Sequence, residues 1–373
     1  MTSTMRRRSR ELIVDLRAVV VPWLTARLLI AAGFVVAHAA SDHLVDGSPS
    51  TLTEGLIAWD GTWYRDIAAH GYQAVGVDGV RFFPLFPLAG RLLSVVTFGR
   101  TDVALIVLAN VASLLLLIAV RRLVLLERGS KALSDRSVWL LCLFPGAFVL
   151  AWGYAEALWL LAAVIGFWAI RSRRWGLAIV AGLVLGLTRP LGVAFAAPAA
   201  IELWRVWRTA RNDERALGVA SVIAPIVGTG GFLLWVHQAF GDAWLPFTVQ
   251  NSLRGSSSDP ITRIWNGLGD LFGAQRFGDG LHIPFAIAFV VLLVLTFRWW
   301  PVSYGVFAAI ILTAALAAEN LNSLERYGLN AFPIVLSLAV LVKDPRVERP
   351  TMIVLGGGMV ALTTLAWIGA YVP

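Results

Sequence analysis

Residues 59–87 read Trp59-Asp60-Gly61-Thr62-Trp63-Tyr64-Arg65-Asp66-Ile67-Ala68-Ala69-His70-Gly71-Tyr72, a short polar gap, then Arg81-Phe82-Phe83-Pro84-Leu85-Phe86-Pro87. This is the most polar and aromatic part of an otherwise apolar chain, so chemistry is expected here. Over 61–70 the pattern is helical: Trp63 with Ile67 and Tyr64 with Ala68 fall at i, i+4 on one apolar face, while Arg65 and Asp66 lie off it. Asp60 stands at the mouth of this helix, where a carboxylate serves as an N-cap for the first free backbone N–H groups. The same position also suits a catalyst.

Outward from this stretch the chain is apolar in both directions. Its 373 residues are 58% hydrophobic and 14% charged, and a mean hydropathy of +0.74 is far too high for a soluble protein of this size. An all-α, polytopic membrane protein is expected. The formal charge of +8 comes in short basic clusters between apolar runs, the pattern of cytoplasmic loops, so nucleic acid is excluded as a partner and membrane lipids are expected. The single cysteine, Cys142, permits no internal disulfide and no cysteine metal site. Of the 31 basic residues only Lys131 and Lys343 are lysine. That bias, with the Ala, Val, Leu and Gly richness, points to a GC-rich bacterial genome, and for a polytopic protein of a bacterium the plasma (inner) membrane is the expected location.

Five arginines between residues 6 and 17 precede the apolar run 18–40. The run is long enough for a hydrocarbon core of about 30 Å and is read as a first span entering from the cytoplasm. Arg27 within it is expected to face the bundle or, preferably, to snorkel to the headgroups. Residues 41–83 then form a first external loop, and 84–98, opening Pro-Leu-Phe-Pro, reads as a juxtamembrane helix. The second span is 102–120, followed by a basic cytoplasmic loop. Two helical hairpins, 137–170 and 176–204, break at Gly153-Tyr154-Ala155-Glu156 and Thr188-Arg189-Pro190; such breaks at membrane depth belong beside a cavity or inside protein. The seventh span, 216–240, completes an N-terminal module of 18–240. An external, glycine-rich loop at 241–281 holds Trp244, Arg254, Trp265 and Arg276, and four more apolar runs within 282–373 bring the count to eleven crossings, with the N-terminus cytoplasmic and the C-terminus external.

This topology brings Asp60, His70, Arg81, Glu156, Arg189, Glu319, Glu325 and Arg326 to the same external side. No phosphate-binding glycine loop, metal-ligand spacing or nucleophile elbow is present in the sequence. Asp60 and Asp66 fall on different helix faces with no Asp-x-Asp pair, so no metal cofactor is expected.

The residues carry a resemblance. Trp59-Asp60 with Trp63-Tyr64, Ile67-Ala68, Gly71-Tyr72 and Phe82-Phe83-Pro84-Leu85-Phe86-Pro87 resembles the signature of the PIG-V-like mannosyltransferases, bacterial relatives of the second mannosyltransferase of GPI-anchor synthesis. Phe144-Pro145, Tyr154-Ala155-Glu156 (Tyr-Ser-Glu is usual in the family), Thr188-Arg189 with Gly192, and Glu325-Arg326-Tyr327 with Phe332-Pro333 extend the similarity, loosely beyond residue 200. The resemblance implies a GT-C glycosyltransferase: multispan, with a catalytic acid in the first external loop followed by two juxtamembrane helices. It further implies an inverting transfer from a polyprenyl-phosphate sugar donor; the acceptor hydroxyl, on a glycolipid, a glycan or a protein, is left open.

Such chemistry needs a base for the acceptor's proton and cations for the leaving phosphate. Asp60 is the expected base. Arg189 and Arg326 are the expected phosphate ligands, with Arg81 a further candidate. Glu156 orients either a sugar hydroxyl or an arginine, and a structural alternative pairs Arg189 with Glu156 and Arg326 with Glu325 or Glu319. Trp59, Tyr64 and Tyr154 complete the expected substrate surface. His70 is a candidate there too, although a structural role suits it better, and Asp66 reads as a salt-bridged surface carboxylate. A transferase of another sugar, arabinose or glucose, and a transporter or flippase are the competing readings; the latter needs a polar path open in turn to both sides.

Overall fold

The computed structural model describes residues 3–44, 48–254, 259–273, 278–318 and 320–373, and every regular element among them is helical. The first half comprises α1 (Ser3–Ser41), α2 (Ser50–Glu54), α3 (Asp60–His70), α4 (Tyr72–Val75), α5 (Leu85–Ser94), α6 (Thr101–Arg128), α7 (Lys131–Leu143), α8 (Glu156–Arg171) and α9 (Trp175–Thr188). The second comprises α10 (Ala196–Val206), α11 (Asn212–Phe240), α12 (Leu245–Arg254), α13 (Pro260–Phe272), α14 (Asp279–Trp299), α15 (Val302–Leu316), α16 (Leu324–Asn330), α17 (Pro333–Leu341) and α18 (Pro345–Trp367).

Five helices, α1, α6, α11, α14 and α18, are long and apolar enough to cross a membrane, and the α16–α17 pair, bent by 84°, makes a sixth if counted as one span. The expected eleven crossings are therefore not reproduced by length and composition. The remaining five apolar runs form α7, α8, α9, α10 and α15, of 13, 16, 14, 11 and 15 residues, short of the roughly 20 a full crossing needs. The break between α9 and α10, 189–195, falls at the expected Arg189-Pro190, whereas the one between α7 and α8, 144–155, opens nine residues before the expected Gly153, and Glu156 already belongs to α8. The expected 241–281 loop is instead occupied largely by α12 and α13. Of its residues, Arg276 lies outside the described set, as does Glu319.

Arg27 does not snorkel. Its guanidinium bonds Asn110 Oδ1 at 3.0 and 3.1 Å, Ser113 Oγ and the Leu150 carbonyl, and stacks over Trp23. A charge inside an apolar segment costs about 3 kcal/mol or more, and these acceptors on α6 and the 145–150 turn offset that cost. Arg27 thus ties α1 to the helices around it.

Between α1 and α6 the chain builds a compact cap. Tyr64, Ile67 and Ala68 of α3 are buried, with Tyr64 edge-on to Phe82 and Phe86 at 5.0 Å each. Each large side chain buried this way contributes roughly 1.5–3 kcal/mol. Gly71, at φ 82°, ends α3. On α5 the pattern splits: Phe86 is buried, while Leu88 and Leu92, with Val95 and Val96 beyond the helix, stay exposed. That outer apolar face suits lipid contact.

Candidate active site

Two breaks and a bend converge on the start of α3. Gly153 in the 144–155 break donates its N–H to the Leu56 carbonyl at 2.8 Å, and a Cβ there would lie 2.4 Å from Ile57 Cδ1. Gly146 in the same break lies so close to α16 that a Cβ would come within 2.8 Å of the Glu325 carbonyl and 3.0 Å of Arg326 N. No larger residue fits at either position without moving backbone or core. The break that separates α7 from α8 is thus the surface on which the first loop and α16 are assembled.

Asp60 is not an N-cap. The cap residue is Trp59, in a strained backbone conformation at φ 60°, and Asp60 is already the first helical residue. Its own N–H donates to the Tyr154 hydroxyl at 3.2 Å, and its carboxylate caps no N–H of α3. Asp60 Oδ2 accepts from Arg326 Nη1 at 2.6 Å across 266 residues of sequence. Ser323, the cap residue of α16, also has a positive φ of 67°. Both helices that carry this pair therefore begin on a strained non-glycine residue, a feature that concentrates at functional sites.

Behind the pair, Glu156 at the start of α8 binds Arg189 and lies 3.4 Å from Arg326 Nη1. Glu156 therefore orients arginines, and the expected Arg189–Glu156 pair is present. The expected pairing of Arg326 with Glu325 is absent. Glu325 is instead held by His282 Nδ1 at 2.9 and 3.0 Å and by the Tyr371 hydroxyl at 2.9 Å, all three side chains buried. This triad fixes the residue next to Arg326, and nothing local in the sequence marks His282 or Tyr371 as its members.

One cavity of about 760 Å³ opens onto this arrangement. Trp59, Asp60, Tyr64, Arg81, Arg189 and Arg326 line it, with Tyr327, Ser323 and part of α12. Trp59 is fixed by its indole N–H, which donates to the Ala366 carbonyl at 2.9 Å. Tyr154 lies against Arg326, 5.7 Å from guanidinium to ring. Arg81 stacks over Trp63 and Phe82 at 5.1 and 4.8 Å and forms no ion pair among the described residues. Its Nε and that of Arg326 are buried without a hydrogen-bond partner. His70 is not brought here: it sits at the exposed end of α3 and lines a separate, open depression with Thr62, Trp63 and Asp66. Asp66 is salt-bridged to Arg65 at 2.8 Å on the surface, as expected.

Burial pushes the Asp60 carboxyl up, but the Arg326 guanidinium, with Arg81 and Arg189 farther off, more than offsets it and holds the group below the usual carboxylate range. Burial and the nearby Glu156 carboxylate push the Tyr64 hydroxyl up, so it stays protonated. Among the described residues no group of three or more His, Cys, Asp or Glu side chains converges. The site is thus an ionised carboxylate and three fixed guanidiniums around one cavity.

A search of proteins with curated function finds no match. Residues 12–196, which include α3, the 144–155 break and Arg189, match the family profile described as Mannosyltransferase (PIG-V). With several membrane-length apolar helices the protein is an integral membrane protein, and its residues 12–196, just under half of the chain, match the PIG-V mannosyltransferase family, which supports a glycosyltransferase.

Proposed function

We propose that the cavity transfers a mannosyl group from a polyprenyl-phosphate donor to an acceptor hydroxyl, with inversion at the anomeric carbon. The acceptor oxygen attacks that carbon on the face opposite the phosphate. The carbon–oxygen bond to phosphate breaks, its electron pair stays on the phosphate, and the acceptor's proton passes to Asp60. The observation that carries this reading is the Asp60 carboxylate facing the same cavity as Arg81, Arg189 and Arg326.

Charge supports the donor class. Three guanidiniums against Asp60 and Glu156 leave one positive charge, which complements the single negative charge of a phosphodiester. The planar fork of arginine makes two parallel bonds to phosphate oxygens, and Arg326 Nε and Arg81 Nε have bonds to give. In the donor-free state Arg326 holds Asp60 and keeps it a weak base. Phosphate binding draws that guanidinium away, so Asp60 becomes basic when the donor is seated.

The same reading takes the fold to be GT-C, with the short helices completing eleven crossings and the site on the external face of a bacterial plasma membrane. Reporter fusions at Ser130, Arg173 and Arg211 then read inside, and one at Ser257 outside; an external signal at Ser130 inverts the assignment. For the reaction, the purified protein is offered polyprenyl phosphates bearing mannose, glucose or arabinose, and mass spectrometry follows donor consumption. Mannose transfer with release of polyprenyl phosphate is expected. Preferential use of another sugar corrects the substrate, and use of none with all acceptor classes present removes the reading.

A further inference from the structure

Beyond its cationic part, the cavity is lined by α12, whose Pro246, Phe247, Gln250 and Asn251 recur at i, i+1, i+4 and i+5 and so turn one helical face inwards. This helix packs on the 77–81 turn that ends in Arg81. At its start Trp244 is exposed and pairs with Phe247 at 5.7 Å between ring centroids, so the helix reaches from the molecular surface to the site. Neither Gln250 nor Asn251 is engaged in a side-chain hydrogen bond among the described residues.

We propose that this inward face of α12 is a sugar-recognition wall, in which Gln250 and Asn251 bond neutral sugar hydroxyls and Phe247 lies against the C–H face of the ring. The inference rests on the glycosyl-transfer reading and deepens it. A primary amide both donates and accepts, matching a hydroxyl, and carries no charge. The phosphate is already met by three guanidiniums, and a polyprenyl chain placed here would leave two amides unpaired against hydrocarbon, a costly arrangement. Small apolar lining from Ala314 of α15 and from Ala317 just after it is the better surface for the chain. The ligand chemistry is a polyol, which either the donor's sugar or a sugar acceptor supplies.

The test uses the full-length protein in detergent and three soluble probes: citronellyl phosphate, citronellyl phosphomannose, and methyl α-mannoside with citronellyl phosphate present. Gln250→Ala with Asn251→Ala, and separately the isosteric Asn251→Asp, are compared with the parent after matching melting temperatures. The double variant is expected to bind citronellyl phosphate like the parent. It is expected to lose roughly tenfold in affinity for a sugar probe, the equivalent of one or two ordinary hydrogen bonds, and Asn251→Asp is expected to shift the same probe. Loss on citronellyl phosphomannose assigns the wall to the donor sugar, and loss on methyl α-mannoside assigns it to the acceptor. Parental affinity of the double variant for both sugar probes overturns the proposal. A parent that binds no citronellyl phosphate strikes the transfer reading instead, and methyl α-mannoside alone then decides the wall.

Discussion

Two buried ion clusters in this molecule use the same residue types to opposite ends. In the first, Arg171 of α8 gives Nε and Nη2 to Glu127 at 2.6 and 3.1 Å and Nη1 to Glu202 at 2.8 Å, so every guanidinium nitrogen is spent. Glu202 also accepts from Arg205 and Ser303, and Tyr304 caps Glu127. Two arginines balance two carboxylates, and this cluster lines neither cavity described above. The second cluster, Asp60, Glu156, Arg81, Arg189 and Arg326, has one cation in excess, two buried guanidinium nitrogens without partners and a large cavity beside it. A closed, neutral network joins α6, α8, α10 and α15. An open, positively biased one has the charge and the room that the proposed phosphate donor requires.

The difference is sharpened by substitution. Arg171→Ala strands the buried Glu127 carboxylate, while Glu202 keeps Arg205 and Ser303, and is expected to lower stability by about 3–5 kcal/mol, measured by thermal or denaturant unfolding, while enzyme that remains folded keeps its donor KM. Arg189→Lys and Arg326→Lys are expected to do the reverse. They keep the charge and lose the fork, raising donor KM about tenfold or more, at roughly 1.5–3 kcal/mol per charged hydrogen bond, with little change in melting temperature. Parental donor kinetics in both lysine variants would move the phosphate to Arg81 and α12.

A smaller effect is expected in the pH profile. A base must be deprotonated, and Arg326 lowers the Asp60 value in the free enzyme, so the acid limb of kcat/KM should lie below roughly pH 4, the ordinary aspartate value. The ion pair's stabilisation is likewise present above that value and lost as pH falls through the lowered one. If the donor complex shares Arg326 with phosphate, as proposed, the acid limb of kcat should lie at higher pH than that of kcat/KM. Coincident limbs would show that Arg326 does not move between partners. The smallest effect is expected from a chelator: transfer should persist in excess EDTA, and loss restored by one added divalent ion would require a metal in the mechanism.

How much of this was legible depended on sequence distance. Asp60 was found because Trp59-Asp60 and Trp63-Tyr64 stand out in an apolar chain, and the breaks at 153–156 and 188–190 because glycine, proline and charge interrupt apolar runs. The bend between α16 and α17 was missed, since Phe332-Pro333 sits inside a continuous apolar run. The two helices at 245–272 were obscured by the glycine and polar content of the segment, although Ile261, Ile264, Trp265 and Leu268 of α13 have helical spacing. The pairing of Asp60 with Arg326, and of His282 and Tyr371 with Glu325, joins residues 266, 43 and 46 apart. No periodicity reports such contacts, which arise only when Gly146 lets α16 close on the 144–155 break.

The central claim is that Asp60 removes the acceptor's proton, and Asp60→Asn tests it most directly. Asparagine keeps the size of the side chain and an oxygen to accept from Arg326, but it has no negative charge and cannot take a proton. Transfer from polyprenyl-phosphate mannose by the purified variant is expected to fall by roughly 10² to 10⁴ in kcat, with donor binding retained and the melting temperature near the parent's. Parental turnover by the folded Asp60→Asn protein would contradict the account and leave Asp60 as no more than the ion-pair partner of Arg326.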